Sequence, residues 1–311
     1  MTLRDLERHG YCPVPHDASG QDVSLAFAFD ANYLFLWKVA IRSLACSGNF
    51  IDSPIIVYTD DPLVLADPVV RKVTDRVVLL EEPRKKLLYA LARENVQRGK
   101  ERAQWNRGTF LKWAVFEEHA TEAVLFLDVD MIFLDKFDTV LLDLSDRSFI
   151  CCRQYHGEHR QSADGTRLTP DQSAQVVTSM IRCKLEGFHP RSINSGMMLL
   201  RRPLLSDDFF GIITDHARSA VLINEQRHFT TFFQARPDQI AFISPRFNFQ
   251  EHYLGQLTWD EQRRMLGKIS VLHYAGSGKP WKVSASASFR PSSALWHWHR
   301  TEAETLLRAE S

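Results

Sequence analysis

The chain has 311 residues, 44% of them hydrophobic, with 38 Lys and Arg against 38 Asp and Glu. This length and apolar content exclude general disorder and suit one large α/β domain or two modest ones, and the zero formal charge gives no global field for a nucleic-acid partner. The opening Met-Thr-Leu-Arg-Asp-Leu-Glu-Arg lacks the apolar centre of a secretory signal, every apolar run stops well short of a bilayer span, and five irregularly spaced cysteines fit reduced thiols, so a cytoplasmic protein without a transmembrane segment is expected.

Residues 1–22 read as an N-terminal extension. The apolar run Val23 to Phe29 predicts a first strand, followed by apolar residues at helical spacing from Tyr33 to Ala45. Strands are then expected at Pro54 to Thr59, Arg76 to Leu80 and Ala123 to Leu127. A basic stretch from Arg84 to Arg107 separates the last two; it reads as a solvated helix face, with a lip over an anionic ligand as the rival reading.

Further strands are expected at Phe149 to Gln154, Ile193 to Arg201, Gln239 to Ser244 and Lys268 to His273. A polar loop from His156 to Pro170 has the length and composition of a surface segment that contacts substrate. The tail from Pro291 to Ser311 is amphipathic, but its weak basic face favours packing on the domain or self-association over membrane contact. Strands alternating with helical stretches over residues 23–290 predict a single α/β domain with a mostly parallel central sheet flanked by helices.

The strand at Ala123 to Leu127 runs into Asp128-Val129-Asp130. Two carboxylates in the i and i+2 positions point the same way and repel unless a cation lies between them. In an open α/β sheet, the carboxyl end of a strand is also where ligands bind. Far downstream, the sequence His273-Tyr274-Ala275-Gly276-Ser277-Gly278-Lys279-Pro280-Trp281 follows a short apolar run. Here an imidazole suited to a metal, two glycines that allow close backbone approach and a lysine suited to phosphate meet in one turn.

At five ordered segments the chain resembles glycosyltransferase family 8. They are Phe27 to Tyr33, Thr109 to Lys112, Asp128 to Asp130, Asn194 to Leu200 and His273 to Trp281, the last similar to a His-x-x-Gly-x-x-Lys-Pro-Trp pattern. The resemblance implies a GT-A type nucleotide-diphospho-sugar transferase fold and transfer of a hexose from a nucleotide-sugar with retention of configuration. It points to UDP-glucose or UDP-galactose as donor and leaves the acceptor open between a glycan, a lipid-linked sugar, a protein side chain and a small molecule. It further implies that Asp128, Asp130 and His273 ligate Mn²⁺, with Mg²⁺ as a substitute. Asp30, Asn32, Tyr33, Lys112, Val129, Asn194, Ser195, Gly276 and Lys279 would contact the donor. Where the family shows Asp-Gln-Asp, this chain has Glu225-Gln226-Arg227. Glu225 and Gln226 thereby become the catalytic candidates, and Arg227 puts the sugar-facing contacts in doubt.

Three rival readings stand beside this one. The Asp-Val-Asp string is similar to the nucleophile loop of haloacid-dehalogenase-type phosphatases, which usually carry Thr or Val where Ile132 stands, and that reading leaves His273 to Trp281 unexplained. A second is a non-catalytic subunit that binds a nucleotide-sugar or carbohydrate. A zinc site from Cys151, Cys152, His156 and His159 is disfavoured because adjacent strand residues face opposite ways.

Overall fold

The computed structural model describes residues 22–95, 106–137, 145–155, 159–162, 164–182, 193–276, 278–282 and 290–309. Expectations for residues 1–21, for Cys12, His156, Gly157, Cys183 and Ser277, and for the middle of the basic stretch lie outside these. In chain order the strands are β1 (Val23–Ala28), β2 (Ile55–Thr59), β3 (Arg76–Leu79), β4 (Ala123–Leu127), β5 (Met131–Phe133), β6 (Phe149–Arg153), β7 (Ile193–Arg201), β8 (Ile240–Ile243), β9 (Phe249–Gln250) and β10 (Val271–His273). The longer helices are α1 (Leu34–Cys46), α2 (Glu82–Glu94), α3 (Pro170–Arg182), α4 (Asp207–Ser219), α5 (Glu225–Gln234) and α6 (Pro291–Ala309).

Seven of the eight strands expected from apolar runs join one sheet in the order β3-β2-β1-β4-β7-β6-β8. Only β7 is reversed: it pairs antiparallel with both β4 and β6, while the other neighbours are parallel. Both faces of this sheet are covered, which is why its strands read as continuous apolar runs rather than alternating ones. Successive residues serve opposite cores: Leu25, Phe27, Leu125 and Leu127 pack on one side, and Ala26, Val124 and Phe126 on the other. Cys151 and Cys152 divide in the same way between the two cores, so they do not share a metal.

The eighth expected strand, β10, belongs to a separate three-stranded sheet in the order β5-β10-β9. Two of its members, β5 and β9, have only three and two residues, too few to show a periodic signal. This small sheet sets His273 opposite Met131 on one side and Gln250 on the other. It thereby brings residue 273 to the end of β4.

Helix α6 packs on the domain, with Trp296 buried and edge-on to Phe35 of α1 at 6.3 Å between ring centres. Among the described residues no helix is long and apolar enough to cross a membrane. Within the basic stretch, Arg84 donates to the Phe116 carbonyl at 2.6 Å, and Arg107 to the Asp60 carboxylate at 2.8 Å.

Helix α5, which carries Glu225 and Gln226, is anchored by Phe229. This fully buried ring lies 5.4 Å from Trp113, 5.9 Å from Phe116 and 5.7 Å from Phe149. Removing a ring so enclosed leaves a cavity as well as losing its transfer free energy. Phe229→Ala is therefore expected to lower the unfolding free energy by about 3–5 kcal/mol in urea titrations.

Burial also holds His159, His228 and His299 down to about 4 from the ordinary 6.5. The unfolded chain takes up protons on these rings where the folded protein keeps them neutral. The stability they contribute is thus fully present above about pH 6.5 and is lost as pH falls through about 4. The urea midpoint is expected to drop across that window, and His228→Gln, which cannot titrate, to drop less steeply.

Candidate active site

The pair Asp128 and Asp130 sits where β4 ends. Val129 between them is buried in the core, so the flanking carboxylates share the opposite direction. Backbone hydrogen bonds fix the turn: the Asp128 N–H donates to the Gly196 carbonyl at 2.7 Å, and the Asp130 carbonyl accepts from the Tyr274 N–H at 2.9 Å. The His273 Nε2 atom lies 3.1 Å from Asp130 Oδ1 and 3.9 Å from Asp128 Oδ2. One ligand atom from each of the three side chains lies within 4.8 Å of the others.

Two lysines compensate the carboxylates. Lys112, itself buried, places Nζ 2.9 Å from Asp128 Oδ1 and 3.4 Å from Glu225 Oε1. Lys279 lies 2.5 Å from Asp130 Oδ2 and also donates to the Tyr274 carbonyl. Burial opposes the charge on Asp130, but Lys279 and His273 outweigh it and hold the carboxyl well below the usual range. For Asp128, burial and the neighbouring Asp130 charge outweigh Lys112 and push the carboxyl up. Burial likewise opposes the charge on Lys112, yet Asp128 and Glu225 raise its ammonium above the ordinary value. Three carboxylates thus face two ammonium groups. This oxygen-rich donor set with one imidazole fits a divalent cation.

Beside this cluster lies a wall of amides made possible by an irregularity in β7. Its register with β6 shifts between Cys151, opposite Met198, and Cys152, opposite Asn194. Bulges of this kind free backbone groups from the ladder and re-aim side chains next to sites. The Ser195 N–H donates to Gln226 Oε1 at 3.2 Å, and the Gly196 N–H to Asn194 Oδ1 at 2.9 Å. Gln154 Oε1 accepts from Asn194, Gln226 and Gln250 at 3.0, 3.1 and 3.2 Å. The Ser195 hydroxyl donates to Glu225 Oε1 at 2.9 Å.

Together these groups line a cleft of about 850 Å³. Every site residue singled out from the sequence lines it except Asn32. The backbone N–H of Asn32 is taken at 2.9 Å by the Asp30 carboxylate, which caps the short helical turn Ala31–Tyr33. Arg227 is exposed on the third residue of α5 and does not line the cleft. The change from the Asp-Gln-Asp pattern at that position therefore falls outside the cleft lining. Sequence reading missed Gln154, Gln250 and His252, all of which line the cleft. The first two stand at strand ends and were visible only as polar residues closing apolar runs.

A family model described as Glycosyl transferase family 8 matches residues 24–285. Among solved structures, the galactosyltransferase LgtC in complex with donor and acceptor sugar analogues aligns with a TM-score of 0.55 at 14% identity, over 89% of this chain and 95% of that one. The glycosyltransferase GlyE of Streptococcus pneumoniae TIGR4 gives 0.54 at 16% identity, over 92% of this chain and 63% of its own. The bifunctional WbbM gives 0.53 at 13%, over 92% and 51%. At these identities the likeness is one of fold, the GT-A glycosyltransferase fold. No curated protein sequence matches the chain.

Gly196 is where the wall and the ion ligands touch. A Cβ there would stand 2.5 Å from His273 Cε1 and 2.8 Å from its Nδ1, closer than atoms pack, so the ring must move. Gly196→Ala is expected to weaken Mn²⁺ binding by about tenfold or more, the scale set by disturbing a ligand's surroundings. Calorimetric titration of Mn²⁺ in the presence of UDP measures the loss.

Proposed function

Because the chain belongs to glycosyltransferase family 8, we propose that it is a divalent-metal-dependent hexosyltransferase that takes a UDP-sugar as donor and passes the sugar to a glycan acceptor with retention of configuration. The observation that carries this reading is the convergence of Asp128, Asp130 and His273 within 4.8 Å, in one cleft with Lys279 and the amide wall.

Breaking the bond between sugar and diphosphate puts negative charge on the departing oxygens, and catalysis needs positive charge positioned there in advance. Asp128, Asp130 and His273 would hold the ion, Mn²⁺ first and Mg²⁺ as a substitute, which when bound supplies Lewis-acid stabilisation of that charge. Lys279 would hold a diphosphate oxygen, and its place on the cleft lining beside Asp130 supports that role. Lys112 is committed to Asp128 and Glu225, so it would set the charge and angle of these two carboxylates. Asp30 and Tyr33, at the end of β1, would face the nucleoside. The diphosphate is a good leaving group, so no carboxylic acid is needed to protonate it.

The sugar would rest on the wall formed by Asn194, Ser195, Glu225 and Gln226. Glu225 Oε2 is buried and has no hydrogen-bond partner among the described residues. Gln226 spends its oxygen on the Ser195 N–H and its NH₂ on Gln154, and an amide is in any case a poor nucleophile. Attack by the acceptor on the same face that the diphosphate leaves is therefore favoured, with Gln226 beside the oxocarbenium-like centre. A trapped glycosyl ester on Glu225 would overturn this part of the proposal.

Cys151 and Cys152 are buried free thiols, which suits a reducing, cytoplasmic setting. Against the phosphatase reading, the second carboxylate is engaged by His273 and Lys279 rather than free to move protons.

Thermal-shift titration tests the whole reading. A ligand at a hundredfold excess over its Kd stabilises the native state by about 2.7 kcal/mol. UDP with Mn²⁺ is expected to raise Tm by several degrees, with neither component sufficient alone, and Asp130→Asn to abolish the shift. Stabilisation by GDP or CMP compounds instead would refute the donor assignment, and metal-independent sugar transfer would refute the mechanism.

A further inference from the structure

Resting on the ion site proposed above, we propose that Asn248 is a positioning residue that locks His273 into the tautomer with its proton on Nδ1, so that the Nε2 lone pair is presented to the ion. Asn248 does not line the cleft. It follows the short turn Pro245–Phe247, is buried at 2% exposure, and touches the site only through its neighbours.

The assignment follows from hydrogen bonds whose polarity is forced. A backbone N–H can only donate. The Gly196 N–H meets Asn194 at 2.9 Å, so that atom is the carboxamide oxygen. Asn248 approaches the same oxygen at 2.7 Å and must offer its NH₂ there. Its other end is therefore the oxygen, and this lies 2.8 Å from His273 Nδ1. An amide oxygen cannot donate, so Nδ1 carries a proton, and in the neutral ring it is the Nε2 lone pair that points to the side where Asp130 lies at 3.1 Å.

A second anchor confirms the polarity from the far end. The Ser195 N–H fixes the oxygen of Gln226 at 3.2 Å. The Gln226 NH₂ then donates to Gln154 Oε1, which accepts from the Asn194 NH₂ at 3.0 Å. That requires the Asn194 oxygen to point at Gly196, as the first chain of inference found. Two successive N–H groups of β7, exposed at its register shift, thus dictate the orientation of four carboxamides and the tautomer of one imidazole. The outer partner of a ligating histidine fixes both its tautomer and its ring orientation, and losing such a partner typically weakens metal binding about 10–100-fold.

The test compares two substitutions on the full chain, with Mn²⁺ affinity read by calorimetry while UDP is present throughout. Asn248→Leu removes the acceptor and is expected to weaken Mn²⁺ binding about 10–100-fold. Asn248→Asp keeps an acceptor facing Nδ1 while replacing the donor toward Asn194 by a carboxylate oxygen and adding a negative charge; affinity no more than about threefold weaker than the parent is expected, whereas damage to packing alone would not spare it. Unchanged binding in Asn248→Leu, or equal loss in both variants, overturns the proposal. If His273→Ala binds Mn²⁺ as the parent does, it is the ion-site reading that falls, and the two failures are told apart. A measurement on the unsubstituted protein guards against misfolded variants: with Mg²⁺ at saturation, the ring ¹⁵N resonances of His273 are expected to show a proton on Nδ1 and none on Nε2. A proton on Nε2 overturns the proposal.

Discussion

Mutual repulsion between two carboxylates at the tip of one buried strand is the constraint around which this protein is arranged. Asp128 and Asp130 are held by backbone bonds to Gly196 and Tyr274 and cannot move apart. The surrounding structure must neutralise them in place. Lys112 and Lys279 each take one, and His273 closes the third side. Glu225, drawn in by Lys112, leaves three carboxylates against two ammonium groups. That deficit makes a divalent cation part of the electrostatic solution rather than an ornament to it.

The sheet topology serves the same end. Parallel strands β1 and β4 deliver their carboxyl ends to a common edge, where ligands bind in open α/β sheets. The reversed strand β7 does something a parallel strand in that place could not: it brings its amino-terminal residues Asn194 and Ser195 to that same edge, since Leu127 pairs with Met197. The register shift then turns two backbone N–H groups toward side chains instead of a neighbouring strand. One irregularity thus supplies both the polar wall of the cleft and the hydrogen-bond polarity that reaches His273. The Asp-Asp-His group and the amide wall form one connected network, in which a change at Gly196 or Asn248 is felt by both.

Much of this was legible before any coordinates. Strands β4 and β7 lie where their apolar runs predicted, the others are shifted at their ends, and the cluster of Asp128, Asp130 and His273 was named from residue type and order. Other features were not legible. The strands β5 and β9, which hold β10 against the end of β4, are too short for hydrophobic period to reveal. Arg227 looked like a disturbance of the sugar contacts and turns out to face solvent on α5, because one residue along a helix rotates a side chain by about 100°. Gln154 and Gln250 were overlooked, since a single amide at the end of a strand has the same local appearance whether it meets solvent or three other amides.

By itself, the sequence determined the class of fold, the alternation of strand and helix, the ligand types and the family, because these depend on local composition, periodicity and short ordered motifs that survive in one dimension. Tertiary structure alone decided that β7 runs backwards, which amides meet, which lysine answers which carboxylate, and which nitrogen of His273 bears the proton. Each of those outcomes is a pairing between polar groups some 16 to 149 positions apart. Hydrogen-bond polarity and charge balance are properties of such pairs, and they acquire a value only when folding sets the partners about 3 Å apart.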